Sequence, residues 1–231
     1  RERVEGPSQF VSLKTIQEEA DIISFHFPLN MEGVDCTYHM VNQDFLQALK
    51  NRALIINTCR GEVFETRAVR EAKQSGALNG IIIDCWENEP ELDLDLLSLV
   101  DYGTSHIAGY SKDGKAKGTK MSVRAISRFF GLGIDDWEPA GVEPPSNPVI
   151  ELDGSKKNAE QVLADAIVST YEIESDDKAL RENPGLFEQL RGDYPVRREF
   201  GSYSVRATNV NDEILRQLTK LGFKLNSRQP T

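Results

Sequence analysis

Apolar runs of strand length alternate with amphipathic stretches through the first 131 residues. The runs are DIISFHF (21–27), RALIINTCR (52–60), ALNGIIIDCW (77–86) and DYGTSHIA (101–108). Helical spacing is found between and after them, at 42–50, 65–76, 93–100 and 112–131. Strands with little polar alternation, separated by helices, indicate a parallel sheet covered on both faces. We therefore predict an α/β fold, the second half of a doubly wound sheet.

The pattern changes after residue 132. Residues 133–148, GIDDWEPAGVEPPSNP, are rich in proline and lack periodicity, which predicts a linker. Residues 149–231 then contain short alternating strands and amphipathic helices, and we interpret them as a small α+β domain. The sequence thus predicts three parts, with boundaries at 1–132, 133–148 and 149–231.

The glycine-rich turn of a dinucleotide-binding domain is missing from this pattern. No GxGxxG is present: Gly131 and Gly133 are followed by Asp136 in place of the third glycine, and they come after a helix rather than a strand. The chain also begins RERVEGPSQF, without an initiator methionine. We therefore expect the first strands of the domain to precede residue 1. On this interpretation the isolated chain binds a dinucleotide poorly and is inactive.

The net charge and the cysteines indicate which binding partners and which compartment to expect. The 231 residues carry a net charge of −10, which argues against nonspecific binding to nucleic acid or anionic membranes. The three cysteines, Cys36, Cys59 and Cys85, form no CxxC pair, which favours a reducing, cytoplasmic compartment and no metal cluster. No apolar run approaches the length needed to span a bilayer.

Ionisable residues follow several of the predicted strands. Arg60, Glu89 and His106 come after successive strands, whose carboxyl ends meet at one edge of a parallel sheet, where ligands bind. Each could be merely structural, and a lone histidine usually is. Together they suit the oxidation of a hydroxy acid: a histidine takes the hydroxyl proton, a carboxylate orients its ring, and an arginine binds the substrate carboxylate. The hydride acceptor must be a cofactor.

Three segments carry a family resemblance. INTCRGEVF (56–64), IIDCWENEPEL (82–92) and GTSHIAGYS (103–111) resemble, in order and spacing, the signatures of the D-isomer-specific 2-hydroxyacid dehydrogenases. The run SHIAGYSKDGKAKGT (105–119) and the unit after the linker resemble one branch of that family, which has an additional dimerisation domain. The resemblance covers residues 10–226 and implies a Rossmann-like NAD-binding domain followed by a helix, within 112–131, that returns toward a substrate domain.

The resemblance also implies roles for the reactive residues. Arg60 would bind the substrate carboxylate and polarise the reacting carbon–oxygen bond. His106 would donate or accept the proton, with Glu89 as its partner. Glu87 is the competing acid, but the family motif aligns on the residue before the proline. Tyr110 would contact the substrate, at its phosphate end.

Further residues are implied to bind the cofactor, NAD. Asp84 would hold the nicotinamide carboxamide, and Gly109 would allow the backbone to approach the cofactor. Thr58 and Cys59 would line the nicotinamide pocket. Phe27 matches a cofactor-contacting position where relatives often carry threonine, whose hydroxyl hydrogen bond a phenylalanine cannot make.

The expected protein is therefore a cytoplasmic, NAD-dependent dehydrogenase of a small phosphorylated 2-hydroxy acid, homodimeric through its C-terminal domain. Two alternatives stay open. The chain could act on a different 2-hydroxy acid, such as phosphoglycerate, or it could be a non-catalytic dimerisation fragment that keeps the fold for interaction. The cofactor alternative, NADP, also stays open because the acidic residue that would select NAD is not in this chain.

Overall fold

The structure is a computed structural model that describes residues 10–50 and 52–226. The chain divides into two compact units. The first unit comprises Arg1–Ile107 and Glu174–Asp193, and the second comprises Ala108–Ile173 and Tyr194–Thr231. Among the described residues, no helix is both long enough and apolar enough to cross a membrane.

The first unit is built on a four-stranded parallel sheet. Its strands follow one another in the order β1-β2-β3-β4, with Ile23 beside Ile55 and Ile55 beside Ile81. The strands are β1 (Ile22–Phe25), β2 (Leu54–Asn57), β3 (Gly80–Ile83) and β4 (Tyr102–Gly103). The helices before and between them are α1 (Leu13–Glu19), α2 (Gln43–Gln47), α3 (Thr66–Gln74) and α4 (Leu94–Leu99). This arrangement confirms the predicted α/β fold.

The amino-acid sequence explains these elements locally. Branched aliphatic residues predominate in the central strands, and Ile55 and Ile81 are completely buried in the core of the unit. Side-chain caps mark the starts of α2 and α4: the Asn42 side chain accepts a hydrogen bond from the Phe45 amide, and Asp93 accepts one from the Leu96 amide. These caps set where α2 and α4 begin, and so fix the loops that precede them.

The division of the chain differs from the predicted boundaries. Residues 174–193, expected in the C-terminal domain, belong to the first unit because their apolar side chains are buried in its core. They form α7 (Ile173–Glu182) and α8 (Phe187–Gly192), joined by a 3₁₀ turn. Leu180 and Phe187 are 0% and 1% exposed there. The long helix expected in the first domain, α5 (Lys112–Phe130), belongs instead to the second unit.

The second unit contains a three-stranded sheet that is parallel throughout, in the order β5-β6-β7. The strands are β5 (Val149–Asp153), β6 (Ser204–Thr208) and β7 (Lys224–Leu225), and the helices besides α5 are α6 (Ala159–Val168) and α9 (Asp212–Leu221). Helix α6 follows β5, and α9 links β6 to β7. Parallel neighbours require such crossovers, so the unit is α/β in type, where the sequence predicts α+β.

The proline-rich segment 133–148 contains neither helix nor strand. Its beginning nevertheless folds back on α5. The Leu132 amide donates to the Ser127 carbonyl, and the Ile134 amide donates to the Ser127 hydroxyl. Glu138 forms ion pairs with Lys120 and Arg124. The first residues of the predicted linker are therefore attached to the helix before them.

Candidate active site

A buried asparagine connects two strand ends at the carboxyl edge of the first sheet. Asn57, the last residue of β2, is 0% exposed. Its side-chain amide donates to the carbonyl oxygens of Arg60, at 2.9 Å, and Cys85, at 3.2 Å. Its Oδ1 accepts from the Cys59 amide. Asn57 thus fixes the turn after β2 to the turn after β3. The sequence analysis did not single it out, although a polar residue inside the apolar run IINTC is a signal for such a role.

Asp84 organises the turn that carries His106. Its Oδ1 accepts hydrogen bonds from the Thr104 hydroxyl and the Ile107 amide, both at 2.7 Å. Its carbonyl oxygen accepts from the His106 amide at 2.8 Å. Asp84 is only 3% exposed. His106 adopts a left-handed backbone conformation, φ +55°, and these bonds hold the turn in that unusual conformation.

His106 is paired with Glu89. The ring Nδ1 lies in a short contact with Glu89 Oε1, and Glu89 Oε2 accepts from the Trp86 amide at 3.0 Å. Burial acts to raise the pKa of Glu89, but the hydrogen bonds from His106 and Trp86 outweigh it and hold that pKa below its usual range. Because Nδ1 faces the carboxylate, Nε2 is the ring nitrogen able to exchange a proton with a substrate.

The competing acid, Glu87, has a histidine partner of its own. Glu87 Oε1 lies 2.5 Å from His39 Nε2, and its Oε2 accepts from the Thr66 amide at the start of α3. Burial acts to raise the pKa of Glu87, whereas the hydrogen bonds from Thr66 and His39 lower it below the usual range. The His39 amide donates to the Glu62 carbonyl. The loop after β3 therefore carries two carboxylate–imidazole pairs, and the sequence analysis did not identify His39.

Arg60 lies in the turn after β2, just before a 3₁₀ turn at Gly61–Val63. It is exposed, and its Nη1 donates to the Cys59 carbonyl at 2.6 Å. The next residue, Gly61, packs directly on the backbone of Trp86, where a Cβ would lie 2.0 Å from the carbonyl carbon. Only glycine permits this approach, which sets the turn bearing Arg60 against the loop bearing Glu89.

The remaining predicted residues divide between the two units. In the first unit, Thr58 is half-buried and Cys59 is buried, with its thiol 3.2 Å from Asn57 Oδ1. Phe27 is half-buried and meets the Phe25 ring edge to face, 5.8 Å between centroids.

Gly109 and Tyr110 belong to the second unit. Gly109 has φ +85°, and a Cβ placed there would meet no atom within 4 Å. The Tyr110 ring lies under the Lys115 ammonium, 4.1 Å from the ring centroid. The first unit alone therefore brings together Arg60, Asp84, Glu89 and His106 at one sheet edge.

Two family models match parts of this chain. Residues 1–108 match the model of the D-isomer specific 2-hydroxyacid dehydrogenase family, NAD binding domain. Residues 144–222 match a domain of unknown function, DUF3410. Residues 1–108 are therefore similar to the NAD-binding domain of the D-isomer specific 2-hydroxyacid dehydrogenases, the family that the three signature segments resemble.

Curated relatives narrow the resemblance further. The erythronate-4-phosphate dehydrogenase of Bacteroides fragilis is 47% identical over 208 residues, which cover 90% of this chain and 57% of that protein. That of Bacteroides thetaiotaomicron is 45% identical over 207 residues, covering 89% of this chain and 56% of that protein. The chain thus spans a little more than half the length of the curated relatives that it matches.

Part of the chain is also similar to solved structures. The D-lactate dehydrogenase from Aquifex aeolicus, complexed with NAD and lactic acid, is 28% identical with a TM-score of 0.44. The match covers 54% of this chain and 41% of that one.

Proposed function

We propose that this chain takes part in the NAD-dependent oxidation of 4-phospho-D-erythronate to 2-oxo-3-hydroxy-4-phosphobutanoate. The observation that carries the proposal is the pairing of His106 with Glu89 at the carboxyl edge of a parallel sheet. The similarity to erythronate-4-phosphate dehydrogenases over 90% of the chain supports the choice of substrate.

Each reactive residue has a step in this proposal. His106 Nε2 accepts the proton of the substrate hydroxyl, and the Glu89 carboxylate stabilises the resulting imidazolium. Arg60 binds the substrate carboxylate and polarises the carbon–oxygen bond. When bound, NAD would supply the acceptor for the hydride that leaves the carbon bearing the hydroxyl. The balanced products are the 2-oxo acid, NADH and one proton left on His106.

The first unit carries several residues that suit the nicotinamide end of NAD. In this proposal Asp84 would accept a hydrogen bond from the carboxamide, and Thr58 and Cys59 would line the nicotinamide pocket. Phe27 would contact the cofactor. Gly109 fits a close approach of the cofactor, because its left-handed backbone has open space where a side chain would be. Tyr110 is the substrate contact at the phosphate end.

The biological setting is part of the proposal. The reaction belongs to the synthesis of pyridoxal 5′-phosphate, vitamin B6, and takes place in the cytoplasm. Three free cysteines, Cys36, Cys59 and Cys85, support a reducing compartment. The protein acts as a homodimer through residues 149–231, and the exposed apolar side chains of Val168 and Val196, 55% and 77% exposed, support an interaction surface there.

The test is NADH formation from 4-phospho-D-erythronate, measured by absorbance. Because the chain spans 57% of its relative from Bacteroides fragilis, it is assayed both alone and within a protein of that relative's full length, with His106→Asn as the matched control. Activity that His106→Asn abolishes supports the reaction, the substrate and the base together. Activity with another 2-hydroxy acid only would keep the mechanism and change the substrate. No activity with any 2-hydroxy acid would favour a non-catalytic interaction fragment.

A further inference from the structure

Residues 174–193, here called the helical insert, come from the region that matches a domain of unknown function but form part of the first unit. The insert contains α7 except for its first residue, Ile173, and all of α8. Leu180 and Phe187 anchor it, because both side chains are almost completely buried among those of the first core. The insert is therefore an integral part of the unit that carries His106 and Glu89.

The insert closes the free edge of the first sheet at β4. The Thr104 amide donates to the Ile83 carbonyl of β3, so the amide of the preceding residue, Gly103, points away from that strand. Asp177 of α7 accepts this amide through Oδ1 at 2.7 Å. An edge strand that is left open exposes such donors. Asp177 thus takes the place of a neighbouring strand at this position.

Arg181 holds Asp177 in this position. Its Nε donates to Asp177 Oδ2 at 2.8 Å, one helical turn away on α7. Its Nη1 and Nη2 donate to the carbonyl oxygens of Leu97, at 2.6 Å, and Val100, at 2.8 Å. These carbonyls are at the end of α4, where no helical partner remains for them. Arg181 therefore joins Asp177 to the end of α4.

His106 is three residues beyond the amide that Asp177 binds. Thr104 lies between Gly103 and His106. Its hydroxyl donates to Asp84 Oδ1, and its carbonyl oxygen accepts from the Trp86 indole at 2.8 Å. The insert therefore fixes the start of the segment 103–107 through the Gly103 amide, and Asp84 fixes its end through the amides of His106 and Ile107. In addition, burial acts to raise the pKa of Glu89, and the charge of Arg191 in α8 is one of the groups that lower it.

We propose that Asp177 is a positioning residue for His106, so that the helical insert supports the active site of the NAD-binding unit. The proposal rests on the proposed function only for the chemical role of His106. Its structural part, that the Asp177–Gly103 hydrogen bond sets the place of the imidazole, can be tested without substrate or cofactor.

The first experiment follows the imidazole signals by ¹H–¹⁵N correlation spectroscopy of the whole chain. The chain has three histidines, and His106→Asn identifies the signals of His106. We expect Asp177→Ala to shift these signals, including that of the Nδ1 proton that faces Glu89. Asp177→Asn keeps an acceptor for the Gly103 amide but presents an amide nitrogen to the Nε–H of Arg181, so it should shift them less than Asp177→Ala does. Glu182→Gln, at an exposed acid on the same helix that pairs with Lys178, is the matched control.

The second experiment measures kcat and KM, using whichever form of the protein oxidises the substrate. A misplaced base lowers the rate of proton transfer more than it weakens binding, so Asp177→Ala should lower kcat about tenfold with little change in KM. Asp177→Asn should lower kcat less than Asp177→Ala does, because it keeps the acceptor for the Gly103 amide. Failure of every form to oxidise a 2-hydroxy acid would overturn the proposed function, but not the spectroscopic result.

Two outcomes would overturn the proposal. One is an Asp177→Ala variant that folds, by circular dichroism, with His106 signals unchanged from the wild type. The other is an equal displacement in Asp177→Ala and Asp177→Asn, since a lost acceptor would then not be the cause. Should Asp177→Ala fail to fold, Arg181→Met removes the group that orients Asp177 while keeping an aliphatic side chain. It should then displace the His106 signals, and unchanged signals there would also contradict the proposal.

Discussion

Gly61 lies against the main chain of Trp86 so closely that a Cβ on Gly61 would be 2.0 Å from both the carbonyl carbon and the carbonyl oxygen of Trp86. Gly61 follows Arg60, and the amide of Trp86 donates to Glu89. The contact therefore joins the turn that carries the proposed substrate-binding cation to the loop that carries the partner of the proposed base. No side chain can be added there without moving one of the two segments.

Gly61→Ala is expected to destabilise the first unit by about 3 kcal/mol, because main-chain atoms cannot yield as a flexible side chain can. The measurement is urea unfolding followed by tryptophan fluorescence. The chain has two tryptophans, and a Trp137→Phe background leaves the buried Trp86 as the reporter. Gly185→Ala is the control in the same unit, since a Cβ there meets no atom within 4 Å. A Gly61→Ala midpoint equal to that of the control would contradict the packing argument.

Glu89→Gln tests the pairing with His106 through the pH dependence of stability. The folded pKa of Glu89 is below its usual range, so the carboxylate stabilises the folded state above its unfolded pKa, about 4.3. That contribution is lost as the pH falls through the lower, folded pKa. We therefore expect the wild type to exceed Glu89→Gln in unfolding free energy at pH 7, with a difference that shrinks below about pH 4.

The same variant should reduce turnover on the order of 100-fold, because the amide cannot stabilise an imidazolium as a carboxylate does. Glu91→Gln, two residues further along the loop, is an exposed control. A stability difference that does not depend on pH would show that the carboxylate of Glu89 is not ionised preferentially in the folded state.

Glu87→Gln is expected to loosen the loop after β3 without removing either proposed catalytic group. Glu87 connects His39 to the first amide of α3, so its loss frees the helix start and the loop together. Hydrogen–deuterium exchange in peptides covering 62–66 and 84–91 should increase relative to the wild type. His39→Gln keeps one donor for Glu87 and should show a smaller increase. Equal protection in all three proteins would mean that the pair has no such role.

Much of the first unit could be predicted from the sequence because its signals are local. The strand RALIINTCR and its neighbours are recognisable as buried strands from their own residues, and the residues after each strand meet at one edge of any parallel sheet. The family signatures then distinguish Glu89 from Glu87. In the structure Glu89 is the acid beside His106, and Glu87 is the acid beside His39.

The remainder depends on contacts between residues far apart in the chain. The amphipathic pattern of 174–193 predicts helices, but it does not say which of two cores will bury Leu180 and Phe187. Asp177 binds a main-chain amide 74 residues away, and a main-chain amide has no signature in the sequence. His39 is likewise an isolated histidine, 48 residues from Glu87. Such partners become identifiable only when the packing of the elements is known.

The second unit contains an ion pair whose contribution to stability can be measured. Asp113 accepts hydrogen bonds from two nitrogens of Arg198, at 2.8 and 3.0 Å, and from the Glu199 amide at 2.8 Å. The hydrogen bonds from Arg198 are the largest cause that lowers the pKa of Asp113 to about 2, against the opposing effect of burial. The Arg198 side chain is only 9% exposed, so loss of Asp113 leaves a buried cation without this partner.

Asp113→Asn should therefore destabilise the second unit by about 2 to 3 kcal/mol at pH 7, the value that a shift of the pKa from 3.8 to about 2 implies. Because the folded pKa is the lower one, the stabilisation is complete above about pH 4 and is lost as the pH falls toward 2. Hydrogen exchange in peptides from β5 and β6, followed at increasing urea concentrations, measures the stability of the second unit separately from that of the first. Asp135→Asn, which breaks only an exposed pair with Arg128, should change stability by less than about 0.5 kcal/mol. Equal effects of the two variants at pH 7 would show that the buried pair contributes no more than a surface one.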